Sequence, residues 1–76
     1  GVWLYKVAGV ASNDVLNIRR SPSIRSEIVG LIPPNGREIT VEDRSGHWWR
    51  INYNGKAGWV NRQFLSRDYR CSDCAP

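Results

Sequence analysis

The sequence is short of several residue types, and each shortage removes a class of protein. Histidine occurs once, at His47, and methionine not at all. No Ser, Cys or Asp pattern is arranged around His47, so it gives no sign of a catalytic triad or a general base. The carboxylates Asp14, Glu38, Glu42 and Asp43 are scattered, which speaks against paired-carboxylate chemistry. A glycine-rich phosphate loop is also missing. Cysteine occurs only as Cys71 and Cys74, so the body of the chain does not depend on a disulfide framework. No apolar run approaches the roughly 20 residues of a membrane-spanning helix. Helical periodicity nowhere exceeds about one turn. There is no signal peptide, so Gly1 reads as a processing boundary and the chain as a piece of a longer product. No catalytic residue, metal or cofactor is expected, and the chain is not read as an enzyme.

What is present suits one compact domain. A chain of 76 residues buries only about 60–65% of its unfolded surface, so its core must be efficient. Four Trp, three Tyr and one Phe match that need, since each large ring removes roughly 150–250 Å² from water. The net charge is +4, and of eleven cations only Lys6 and Lys56 are lysine. Arginine favours flat, two-pronged contacts with carboxylate or phosphate. That balance permits an anionic partner, and it equally suits a solvated basic surface.

Short strands divided by turn signals run along the chain. Trp3 to Val7 alternates and ends at Gly9, and Val15 to Arg19 puts Leu16 and Ile18 inward with Asn17 and Arg19 outward. Arg20 to Glu27, with Ser21-Pro22-Ser23, reads as a loop. Ile28 to Ile32 is a buried-strand pattern stopped by Pro33-Pro34-Asn35-Gly36. Arg37 to Asp43 alternates again, and His47 to Tyr53 follows the turn at Ser45-Gly46. Asn54-Gly55 then predicts a type I′ hairpin into Lys56 to Val60. Asn61 to Leu65 suits a turn of 3₁₀ helix, and residues 66–76 read as a loosely held polar tail. Five or six such strands hide their edges best as a small all-β barrel spanning residues 1–65.

Asn17-Ile18-Arg19 followed by Ser21-Pro22-Ser23 resembles the opening signature of the bacterial SH3-like family. Ile28-Val29-Gly30-Leu31-Ile32 with Pro34-Asn35-Gly36, Gly46-His47-Trp48-Trp49-Arg50-Ile51 and Asn54-Gly55-Lys56-Ala57-Gly58-Trp59-Val60 keep the family's order and spacing. The resemblance covers Val7 to Leu65. It implies an SH3-like barrel from an exported, periplasmic or secreted protein. It also implies a non-catalytic module that recognises peptidoglycan or another cell-envelope polymer. The rival reading is an adaptor or spacer that packs on a neighbouring domain of the parent chain. Trp48-Trp49-Arg50 also resembles the paired tryptophans of eukaryotic SH3 domains. Polyproline recognition is not expected, because Arg19, Arg20 and Arg25 replace the acidic loop and Asn61 replaces the groove proline.

The candidate ligand-binding residues are Asn17, Arg19, Arg20, Trp48, Arg50 and Tyr53. Trp48 and Trp49 must point to opposite faces of a strand. With Ile51 inward, Trp49 and Tyr53 fall on the inner side and Trp48 with Arg50 on the outer. An outward Trp beside an Arg is a stacking or cation–π platform, or else a lid under a loop. Arg19, Arg20 and Arg25 with Asn17 are suited to a peptide carboxylate or a phosphate, or to bracing their own loop. Trp59 reads as core or lid, with ligand contact as the alternative. Cys71-Ser72-Asp73-Cys74 suits a short disulfide, half a zinc site or a redox pair, with the disulfide favoured in an exported protein. Small barrels rich in Arg and aromatics also bind nucleic acid, a partner not favoured here, and the module is expected to be a monomer.

Overall fold

The computed structural model describes residues 3–68. Seven strands and one 3₁₀ turn succeed one another there: β1 (Tyr5–Val7), β2 (Leu16–Arg19), β3 (Ile28–Ile32), β4 (Thr40–Ser45), β5 (Trp48–Tyr53), β6 (Lys56–Asn61), the turn Arg62–Phe64 and β7 (Leu65–Arg67). A five-stranded sheet runs in the order β3-β2-β6-β5-β4, and β1 pairs with β7 in a second sheet. The two sheets are joined where Tyr5 and Ile39 exchange backbone hydrogen bonds of 2.8 and 2.9 Å. This is the small all-β barrel that the strand spacing predicts and the SH3-like form that the family resemblance implies.

Period-two alternation decides what goes inside. Leu16 and Ile18 of β2, Ile51 of β5 and Val60 of β6 turn inward to meet Val7, Ile32 and Ile39. The core is thus wholly aliphatic, which corrects the expectation that the aromatic rings supply it. Tyr5, Trp49, Tyr53 and Phe64 pack around its margin instead. The reason is the close approach of the backbones. A Cβ at Gly58 would lie 2.4 Å from Ile18 Cγ2, and one at Gly36 would lie 2.3 Å from Ile32 Cγ2. At these two points the core aliphatics pack directly against backbone.

The hairpin between β5 and β6 forms as predicted, with φ of 52° at Asn54 and 84° at Gly55. The Asn52 Oδ1 accepts from the Gly55 amide at 3.2 Å and closes the turn. Other boundaries move. Trp3 and Val15 stay outside β1 and β2, and the strand expected from Arg37 begins only at Thr40. Glu38 adopts a left-handed φ of 59°, which interrupts the extended backbone and leaves Ile39 with a single bridge to Tyr5. A bulge between Val41 and Asp43 then shifts the register, so that Asp43 faces Arg50 and Arg44 faces Trp49.

The expected polar tail also starts later than the sequence suggests. Ser66 and Arg67 belong to β7, in register with Lys6 and Tyr5 of β1. Asp68 then donates its amide to Leu4 O at 2.8 Å. The barrel therefore uses residues beyond Leu65, because β7 supplies the strand that pairs with β1. Cys71 and Cys74 lie outside the described residues.

Candidate binding groove

Outward-facing residues of five strands build one face of the sheet. Register places Asp43, Arg50, Trp59, Arg19 and Ile28 in one row across β4, β5, β6, β2 and β3. A neighbouring row carries Ser45, Trp48 and Asn61, with Asn17 opposite Leu31 on the far side. Trp59 is therefore neither core nor inner lid. It sits half-buried on this outer face, between Arg50 and Arg19.

Beside the second row lies an open groove of about 380 Å³. Asn17 and Arg19 line it from β2, Trp48 from β5 and Asn61 from the end of β6. Each is there because it alternates with a buried neighbour: Ile18 lies between Asn17 and Arg19, and Val60 precedes Asn61. Asp14 and Ile24 close the groove from the flanking loops. The mixture is carboxamides, one guanidinium and one carboxylate beside the apolar surfaces of Trp48, Val15, Leu16, Ile24 and Phe64. Such a set suits a ligand that carries amide groups and charge alongside an apolar portion.

The loop of residues 20–27 is held by its own hydrogen bonds. Arg20 N donates to Glu27 O at 2.9 Å, Ser21 N to Ser26 Oγ at 2.8 Å and Arg25 N to Ser23 Oγ at 3.2 Å. Arg19 Nη1 also donates to Ser26 O at 3.0 Å. Bracing and ligand contact are thus compatible roles for Arg19, since a guanidinium has five donors and this brace takes one. On the far wall, Asn61 Oδ1 accepts from Gln63 N at 3.1 Å and caps the 3₁₀ turn, which fixes the position of its carboxamide. Asp14 Oδ1 accepts from Val15 N at 2.8 Å and is fixed in the same way.

Of the six sequence-predicted residues the structure gathers Asn17, Arg19 and Trp48 at the groove. Arg20 points elsewhere and pairs with Glu27 at 3.0 Å. Arg50 lies on the same face, one row away, with its Nε 3.5 Å from Glu42 Oε1. Tyr53 packs against the core on the opposite face from Trp48. The sequence reading missed Asp14, Ile24 and Gln63 as lining residues, because all three lie outside strands and no periodicity marks them. Asn61 carried a usable signal, since it alternates with Val60 and takes the place of the groove proline.

A sequence model of the family described as bacterial SH3 domain matches residues 14–66. The chain belongs to the bacterial SH3 domain family. The matched span begins at the groove's Asp14 and ends within β7, so it takes in every groove residue named above. This bacterial SH3 domain is also 31% identical over 58 residues to the Bacillus subtilis (strain 168) protein named "Putative N-acetylmuramoyl-L-alanine amidase YrvJ". That match takes in 75% of this chain but 11% of the relative, so the chain spans only a small part of the curated relative's length. Among the described residues no group of three or more His, Cys, Asp or Glu is placed to hold a metal ion.

Proposed function

We propose that this domain is a non-catalytic binding module of an exported bacterial protein and that its groove takes a peptidoglycan ligand. The observation that carries the reading is the convergence of Trp48, Asn17, Asn61 and Arg19 on one open groove. Peptidoglycan stems offer what that set recognises: amide groups for the two carboxamides and a carboxylate for the guanidinium. The similarity to a protein named as an amidase of N-acetylmuramoyl-L-alanine supports the same chemistry. In such an arrangement another part of the parent protein does the catalysis. The domain raises the local concentration of substrate, for which modest affinity suffices.

An amide NMR titration of the 76-residue chain with purified muropeptides tests this. The expected result is a saturable set of shifts confined to Asn17, Arg19, Trp48, Asn61 and their neighbours. A spectrum that does not move at millimolar muropeptide overturns the reading and favours an adaptor or spacer role. Hydrolysis of wall material by the purified chain would overturn the non-catalytic part.

A further inference from the structure

Six large hydrophobic side chains are exposed among the described residues: Trp3, Val15, Ile24, Ile28, Val29 and Leu31. Trp3 lies at the β1 end under the guanidinium of Arg67, 3.3 Å from its ring centroid. The other five all lie on β3 and the two segments flanking β2. Ile24 is 67% exposed, the highest of the six, and Leu31 is 52% exposed. Ile28 and Leu31 stand in register with Arg19 and Asn17, so they continue the outer face beyond the groove to the sheet edge. The other edge of the same sheet is built differently: β4 carries Glu42, Asp43 and Arg44. Charge on one edge strand and none on β3, Ile-Val-Gly-Leu-Ile, is an asymmetry that solubility alone does not explain.

The surroundings of the apolar edge are cationic. Arg19, Arg20 and Arg25 border it, against the carboxylates Asp14 and Glu27, and Glu27 is paired with Arg20. Ile24 and Arg25 sit side by side on the loop whose backbone is braced through Ser21, Ser23 and Ser26. An isoleucine held outward by a hydrogen-bonded loop loses little conformational freedom when it enters an apolar phase.

We propose that the β3 edge and the 20–27 loop form a docking surface for an anionic lipid bilayer, with Ile24, Ile28 and Leu31 entering the headgroup region and Arg20 and Arg25 meeting lipid phosphates. Apolar side chains ringed by cations are the pattern of a surface-binding element rather than a spanning one. A self-associating face would bury these cations against their own copies. The net charge of +4 opposes that pairing and favours an anionic surface. This inference is separate from wall binding, although Ile24 borders both surfaces.

Co-sedimentation of the 76-residue chain with large vesicles tests it. The chain should pellet with phosphatidylglycerol–phosphatidylcholine vesicles, fail to pellet with pure phosphatidylcholine, and lose binding as salt rises. Arg25→Ala should lower the partition coefficient about fivefold and Ile24→Ser roughly tenfold. Both sites are exposed, and an unchanged amide spectrum of each variant confirms its fold. Trp48→Ala, which removes the groove's aromatic surface, should leave vesicle binding unchanged, so wall binding and lipid binding fail independently. No pelleting with phosphatidylglycerol overturns the proposal. So does pelleting that Ile24→Ser and Leu31→Ser both leave intact, which would mean attraction by net charge alone. A dimer in light scattering that Ile28→Ser or Leu31→Ser dissociates also overturns it and assigns the face to a second copy.

Discussion

Arg37 and Asp68, separated by 31 residues, form a two-pronged ion pair: Nε lies 3.1 Å from Oδ2 and Nη2 2.6 Å from Oδ1. The Asp68 side chain is 2% exposed and that of Arg37 37% exposed. The pair ties the end of β7 to the segment leading into β4 and so holds the small sheet against the large one. Because the carboxylate is buried, removing the guanidinium takes a two-pronged charged partner from a desolvated group. Arg37→Ala should therefore lower unfolding free energy by about 1.5–3 kcal/mol, a figure kept modest because the arginine is partly solvated. Arg37→Lys keeps the charge but not the fork and should recover only part of the loss. Urea denaturation of the three proteins measures both.

Gly58 should be intolerant of any side chain. It is buried in β6, and a Cβ there would meet Ile18 Cγ2 at 2.4 Å and Arg19 O at 2.9 Å. The first contact is a fully buried side chain and the second is backbone, so neither yields cheaply. Gly58→Ala should destabilise by about 1–3 kcal/mol through overpacking. Arg19 is a groove residue, so its shifted carbonyl should also disturb the amide resonances of β2.

Gly55 tests the turn instead of the packing. Its φ of 84° is costly for any residue with a Cβ, yet nothing lies within 4 Å of where that Cβ would stand. Gly55→Ala should cost about 1 kcal/mol from backbone strain alone. In a domain of this size that corresponds to a fall in Tm of roughly 4–8 °C. A loss well above this would mean that the hairpin register itself had slipped.

The parts of the fold legible in the sequence are those fixed by local chemistry. Leu16, Ile18, Ile51 and Val60 announce their inward direction by alternation, and Asn54-Gly55 announces its turn by the φ values it tolerates. Glu38 carries no such mark: its left-handed backbone is imposed by the chain's need to reach both Tyr5 and β5. Strand β7 was equally hidden, since Leu65-Ser66-Arg67 is too short for a pattern and its partner β1 lies at the far end of the sequence. The same division holds at the groove. Strand parity points Asn17, Arg19 and Trp48 outward and parts Tyr53 from Trp48. Asp14, Ile24 and Gln63 reach the groove through loop and turn geometry that only tertiary structure specifies.

Trp48 and Trp49 are adjacent in sequence and should separate cleanly in their effects. Trp49 packs on the core, meets Tyr5 edge-on with ring centroids 5.4 Å apart, and lies 4.7 Å from the Arg44 guanidinium carbon. Truncating it removes ring area, an aromatic pair and a cation–π contact at once. Trp49→Ala should therefore cost about 3 kcal/mol of stability, towards the lower end for a tryptophan because the ring is only half-buried. Trp48 faces the groove and contributes little to the barrel's interior, so Trp48→Ala should cost less than about 1 kcal/mol. In the muropeptide titration the order reverses. Trp48→Ala should weaken binding at least tenfold, as expected for an aromatic anchor worth 1.4 kcal/mol or more. Trp49→Ala, measured where it remains folded, should bind within about threefold of the parent, because Trp49 packs on the core and does not line the groove. Equal losses of binding in the two variants would mean that the groove depends on barrel rigidity and not on the Trp48 face.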